Sequence, residues 1–246
     1  MAERTGSTSY TATEGAKMMY LICRRPAVSR EALSMHWFAH HMPQVIERQR
    51  LQASAGRLAA SRYIATLYDR DESGRSHWDG VAQLWFPEPL PIPREAHGTK
   101  PTDSFQERAE PYLPWATREF VGLDGDLAAE PLTLNAPYPT TRSGFHKITF
   151  LVVAKEDTDY VRFFSHWRDI HIDNVIETMA RTEGFRYVVS QSLEPEAAPY
   201  AGMAELYFQD QAGADAFLDR LPEDGISQWI DRLEIRTSNT EMIGIP

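Results

Sequence analysis

Residues 36–47 read HWFAHHMPQVIE, and residues 166–177 read HWRDIHIDNVIE. Both fit H-W-x3-H-x3-V-I-E. The chain has 6 tryptophans and 8 histidines in 246 residues, so two such matches in register mark an internal repeat. The match extends both ways. Upstream, Lys17-Met-Met-Tyr-Leu-Ile aligns with Lys147-Ile-Thr-Phe-Leu-Val at the same distance from the His-Trp pair. Downstream, Arg62-Tyr63-Ile64 aligns with Arg186-Tyr187-Val188, and WDGVAQLWF at 78–86 aligns with YAGMAELYF at 200–208. The repeat divides the chain into a disordered tail (1–16), a first unit (17–123), a linker (124–144) carrying Pro131, Pro137 and Pro139, and a second unit (145–246).

Each unit reads strand, helix, strand, strand, helix, strand, the βαββαβ order of a ferredoxin-like domain. Ser29 is a good N-cap for the first helix, and Asp157 or Thr158 for its counterpart. The later helix is expected at Ala212–Leu221 in the second unit and near Thr102–Tyr112 in the first. Each unit closes on a candidate strand, Thr117–Val121 and Thr240–Ile243. The third strands alternate. Ala82, Leu84 and Phe86, matched by Ala204, Leu206 and Phe208, suit packing under helices. Val81, Gln83 and Trp85, matched by Met203, Glu205 and Tyr207, form an apolar face with a polar residue at its centre. Helices cover only one side of such a sheet, so the other side needs cover too. The expected fold class is α+β: two tandem ferredoxin-like βαββαβ domains forming a pseudo-dimeric α+β barrel with a central space.

Composition bounds the function. Hydrophobic residues are 42% and charged residues 24%, an ordinary globular balance. The net charge of −10 argues against nucleic acid or an anionic membrane as partner, since both are themselves negative. The lone cysteine, Cys23, has no intrachain partner and sits in an apolar run, as a buried thiol does. The first residues lack a basic segment followed by an apolar one, and the most apolar stretch, Ile148–Ala154, is too short to span a bilayer. A cytoplasmic location is expected, with a homodimer beyond the internal pair left open.

On a helix of about 100° per residue, Trp37 and Trp167 fall on the sheet-facing stripe, and His36 and His41, about 140° apart, flank it on opposite sides. Trp37 and His41 share a side, as do Trp167 and His171. Two readings stand for His41 and His171. They can project into a pocket walled by Trp37 and Trp167 and move a proton, because imidazole titrates near neutrality. Alternatively, they tie the helix end to a loop, and the tryptophans simply pack in the core. His36 and His166 have the same two readings. Arg62-Tyr63 and Arg186-Tyr187 open the second strands, where the phenol can enter a cavity and the guanidinium can meet a carboxylate, or both are structural. On the interior face, Gln83, Glu205, Trp85 and Tyr207 are substrate-binding candidates, and Glu205 is expected to have a raised pKa from poor solvation. No CxxC, HExxH, G-x-S-x-G, P-loop or G-x-G-x-x-G occurs. His36-x3-His40 has metal-ligand spacing without a third ligand, so no metal site is expected. Barrels of this type can hold haem, but nothing names an axial ligand, and no cofactor is expected.

The first strand ending in Arg24-Arg25-Pro26, the motif His36-Trp37-x3-His41-Met-Pro and its second copy His166-Trp167-x3-His171 resemble the EthD domain family of the dimeric α+β barrel superfamily. The resemblance covers nearly all of the chain outside the tail and linker. It implies a cofactor-free site in which a histidine assists proton transfer, at the matching positions His41 and His171. The second unit departs from the pattern at Asp173, where the first has Pro43, and adds Arg168-Asp169, so the two units need not be equally active. The superfamily hosts several chemistries, so fold alone names none. The expected function is a cofactor-independent lyase, isomerase or cyclase, catabolic in role. Its substrate would be a small, mostly apolar oxygenated compound: aromatic, polyketide-like or lactone. The alternative is a non-catalytic module that binds a small hydrophobic ligand.

Overall fold

A computed structural model describes residues 10–70, 78–127 and 139–246. The first unit runs β1 (Ala16–Ile22), α1 (Arg30–His36), a π-turn at Trp37–His41, α2 (Met42–Ser54), β2 (Arg62–Leu67), β3 (Gly80–Phe86) and β4 (Trp115–Asp124). After β5 (Thr140–Arg142), the second unit repeats the order: β6 (His146–Ala154), α3 (Tyr160–His166), a π-turn at Trp167–His171, α4 (Ile172–Met179), β7 (Gly184–Ser192), β8 (Gly202–Phe208), α5 (Gln211–Arg220), β9 (Ile230–Ser238) and β10 (Thr240–Ile245).

The strands form one sheet in the order β5-β10-β2-β3-β1-β4-β7-β8-β6-β9. The last strand of each unit reaches across to the second strand of the other. β4 pairs with β7 (Thr117 opposite Ser192) and β10 pairs with β2 (Thr240 opposite Leu67), both antiparallel. β9 and β10, near opposite ends of that order, are separated only by Asn239. The Asp69 N–H donates to the Thr237 carbonyl at 2.8 Å, which carries the seam from β2 onto β9. The sheet therefore closes into the α+β barrel that the repeat implies, and closure removes the exposed edges an open sheet would leave.

The period-2 faces of β3 and β8 lie as their residues dictate. Ala82, Leu84 and Phe86 join Trp37, Leu33 and Met42 in a core under the first helices. Ala204, Leu206 and Phe208 join Trp167, Phe163 and Ile172 under the second. The opposite faces turn inward, where Val81 and Met203 meet Met19, Leu21, Leu151 and Tyr68.

The interior also holds charge, which overturns the expected central space. Lys17 Nζ lies 2.6 Å from Glu205 and 3.1 Å from Glu119. Lys147 Nζ lies 2.6 Å from Glu205 and 2.9 Å from Glu241, and Arg142 lies 2.6 Å from Glu241. Three cations thus face three carboxylates, as buried charges must. Gln83 Nε2 donates to Glu205 at 2.7 Å, Tyr207 donates to Glu241 at 2.8 Å, and Trp85 Nε1 donates to Glu119 at 3.0 Å. Burial pushes the Glu205 carboxyl up, but Lys147 and Lys17 outweigh it and hold the group below its usual range, opposite to the expected rise.

Three local expectations are also corrected. Thr102–Tyr112 is not a helix. The Asp103 carboxylate takes the N–H groups of Phe105 and Gln106 at 3.0 and 2.9 Å and starts a single turn. The chain is then drawn onto the end of β1, where Arg25 N–H meets the Arg108 carbonyl and Glu110 N–H meets the Cys23 carbonyl, both at 2.8 Å. The N-cap of α3 is Asp159, which accepts from Arg162 N–H, rather than Asp157 or Thr158. Asp157 instead takes a positive φ of 58°. The stretch read as a tail is engaged from Tyr10 onward. Tyr10 donates to Asp173 at 2.6 Å, and Ala12 bridges Phe120. Residues 1–9 of that tail, and 128–138 of the linker, lie outside the described residues. The linker's end forms β5 against β10.

Candidate functional site

The repeated signature builds a π-turn. Met42 N–H bonds the Trp37 carbonyl, and Ile172 N–H bonds the Trp167 carbonyl, each five residues back. Such single-turn bulges gather at functional positions. Pro43 is not the cause, because the second unit has Asp173 there and the same turn. The bulge corrects the helix arithmetic. Positions five apart, which a regular helix places on opposite sides of the stripe, here reach the same loop. His41 Nδ1 lies 2.6 Å from Asp103 Oδ2, and His36 Nδ1 lies 2.8 Å from Ser104 Oγ. In the second unit, His171 Nδ1 lies 2.7 Å from Asp224 Oδ2, and His166 Nε2 lies 3.5 Å from Asp224 Oδ1.

Burial pushes the Asp103 carboxyl up, but the bond from His41 and the N–H groups of Gln106 and Phe105 hold it below the carboxylate range. Asp224 is held down likewise, by His171, Asn174 and the Ile226 N–H against burial. An ionised carboxylate on Nδ1 fixes the imidazole tautomer with its proton there, which leaves Nε2 as the free lone pair. Burial, then the charges of Arg108 and His40, lower the His36 pKa.

The tryptophans lie flat on the sheet. A Cβ on Gly80 would sit 2.4 Å from the Thr66 carbonyl oxygen and 3.1 Å from the Trp37 ring; one on Gly202 would sit 2.6 Å from Ser190 and 2.9 Å from Trp167. Trp37 Nε1 donates to Tyr63 Oη at 3.1 Å, and Trp167 Nε1 donates to Tyr187 Oη at 3.4 Å. Burial pushes both phenols well above their usual pKa.

The units differ beside these pairs. In the first, a cavity of about 220 Å3 opens between helix, sheet and the 97–112 loop. Trp37, His41, Tyr63, His97, Tyr112 and Phe105 line it, with aliphatic floor from Ile22, Ala82 and Leu84. Phe105 packs on His41 with ring centres 4.5 Å apart. Burial, then His41 and Arg48, lower the His97 pKa, so that imidazole is neutral at pH 7. In the second unit, α5 packs beside β8 ahead of the loop that carries Asp224. Phe217 packs on Phe208 with ring centres 5.5 Å apart, and Met179, fully buried, stands where the first unit has Gln49.

The predicted site residues therefore divide. Trp37, His41 and Tyr63 meet at the cavity. His36 stacks on His40 beside it. Trp167, Tyr187, His166 and His171 form the matching but filled cluster. Gln83, Glu205, Trp85 and Tyr207 lie on the other side of the sheet, in the ionic interior, away from both histidine pairs. Arg62 stacks on Trp85, its guanidinium 5.4 Å from the ring centre, and Arg186 pairs with Asp124. Neither arginine lines the cavity. Asp103, Asp224, His97 and Tyr112 were not expected. Asp103 and Asp224 each stand two residues before an apolar residue, upstream of the closing strand, and that faint echo of the repeat was the available signal.

The EthD domain model matches residues 155–222. The matched stretch lies in the second unit, which is similar to an EthD domain over those residues. The EthD match covers the second signature, and the first unit repeats its topology and its His-Trp-x3-His turn. No curated protein matches the chain. Among solved structures, a heme-binding protein from Thermus thermophilus aligns at 11% identity with a TM-score of 0.45, covering 96% of this chain and 95% of that one. The putative chlorite dismutase TA0507 aligns at 8% and 0.47, covering 95% and 96%. The chlorite dismutase of Candidatus Nitrospira defluvii in complex with imidazole aligns at 8% and 0.44, covering 92% of each. Likeness at this level carries no argument about chemistry.

Among the described residues, no helix is long and apolar enough to cross a membrane, and no group of three metal-ligating side chains converges.

Proposed function

We propose that the first unit is a cofactor-independent proton-transfer site, serving a lyase, isomerase or cyclase reaction on a small, mostly apolar oxygenated compound. One observation carries this reading: His41 is fixed through Nδ1 by Asp103 at 2.6 Å while its ring lines an apolar cavity. Nε2 takes a proton from a carbon next to a carbonyl. Asp103 holds the tautomer and stabilises the imidazolium that forms. Tyr63, whose phenol remains protonated, and neutral His97 can donate to the enolate oxygen.

The cavity sets the size. At about 220 Å3 it falls below the ~300–1,000 Å3 of pockets for drug-sized ligands, so the compound has one ring and few substituents. Aromatic, polyketide-like and lactone compounds of that size fit a catabolic, cytoplasmic role. Haem, larger than a drug-sized ligand, does not fit this volume.

The test is hydrogen–deuterium exchange at the α-carbon of one-ring ketones and lactones, followed by NMR in D2O. The wild type should accelerate exchange, and His41→Gln should remove about 10²–10⁴-fold of that acceleration. Absence of exchange in the wild type would refute the proposal and favour the binding module, and exchange that survives His41→Gln would refute His41 as the base. That second reading draws on the second unit, where the same histidine–aspartate pair ties helix to loop beside a filled core.

A further inference from the structure

The π-turn and α2 present His41, Val45, Arg48 and Gln49 to the cavity, along one face of the helix. Arg48 is the exposed member and stands at the mouth. Its charge reaches the opposite wall. After burial and His41, it helps lower the His97 pKa, and it opposes the rise that burial imposes on the Tyr112 phenol. Among the described residues it meets no carboxylate. Its neighbour Glu47 is taken by Arg50 at 2.6 Å. An unpaired guanidinium at the rim of an apolar cavity is a ready partner for a planar anion, because its fork matches both oxygens of a carboxylate.

The second unit supplies the contrast. Arg48 aligns with Thr178, which is buried and donates to the Asn174 carbonyl at 2.9 Å. The second unit, packed at this position, carries no cation there. The chain's net charge of −10 opposes any anion at long range, so attraction has to come from a local group such as this one.

We infer that Arg48 anchors a carboxylate on the substrate, which makes the substrate class a one-ring carboxylic acid with its reacting carbon at His41 Nε2. This inference rests on the reading of the first unit's cavity as the site. Arg48 acts in binding and orientation. The proton moves from substrate carbon to His41 with the carboxylate unchanged.

The experiment uses matched probes: benzoate with benzamide, and 4-hydroxybenzoate with 4-hydroxybenzamide, titrated into the full chain at pH 8 by calorimetry. In at least one pair the carboxylate should bind about tenfold or more tighter than the amide, the strength of one charge-assisted contact. Arg48→Gln should bring that ratio to about one. Arg48→Lys should keep part of it, since charge survives and the fork does not. His41→Gln should keep the ratio while losing exchange. Absence of a carboxylate preference in both pairs, or a preference that survives Arg48→Gln, overturns the inference. The two failures are separable: preference without exchange removes the proton-transfer reading and keeps the anchor, and exchange without preference does the reverse.

Discussion

The two units carry the same histidine–aspartate pair on the same π-turn, and among the described residues a cavity opens beside the first. His41 lines a cavity, whereas in the second unit Phe217 and Met179 join Trp167 in a packed core. The pair by itself is therefore a fastening between helix and loop, and the empty space is what makes it a candidate for chemistry. The difference comes from one segment. The second unit has a regular helix, α5, whose Ala214 and Phe217 sink into the core. The first has Pro87, Pro89, Pro91 and Pro93 and then a single turn at Asp103, which cannot present a continuous apolar stripe. Inside the barrel the units instead agree. Lys17 answers Lys147, and Glu119 answers Glu241.

That agreement is open to the largest test. Lys147→Met removes one of the two cations that each of Glu205 and Glu241 faces in the interior and should cost about 3–5 kcal/mol in denaturant unfolding. Lys17→Met strands Glu119 and should cost the same within about 1 kcal/mol. A gap of several kcal/mol between them would mean that the interior is not symmetric in energy, whatever its geometry. The next effect concerns the filled core. Phe217→Ala should cost up to about 3–5 kcal/mol and leave a cavity beside Phe208 in the second unit's core. If that variant binds no one-ring probe, space alone is not what separates the units, and the 97–112 loop contributes more than volume. The smallest effect is at the second pair. His171→Gln should lower stability by about 1–3 kcal/mol, the cost of weakening one charged hydrogen bond to Asp224, and leave α-carbon exchange at the wild-type rate. A loss of exchange in His171→Gln would move the chemistry to the wrong unit for the present reading.

Much of the fold was legible because it is written in periods. The HWxxxH repeat gave the tandem units, and alternation along residues 80–86 and 202–208 gave the two faces. Ser29 marked a helix start, and the closing strands at Thr117 and Thr240 were visible in the pattern. Misreadings came where a local rule met a tertiary one. Asp159 displaced Asp157 and Thr158 as cap, and Thr102–Tyr112 became a turn once β1 claimed its backbone. Glu205 was rightly placed inside the barrel, yet its ionisation followed from two lysines on strands that only the closed sheet brings together.

The sequence by itself determined a duplicated βαββαβ chain with inward and outward faces, since those depend on spacing between near neighbours. Tertiary structure alone decided the site. The π-turn shifts the phase of each helix and sends both histidines to one loop. Asp103 and Asp224 arrive from irregular segments with no period to read. Whether a side chain fills the space beside them depends on how a distant segment packs. Contacts of that kind join residues more than 50 positions apart, and no local pattern records them.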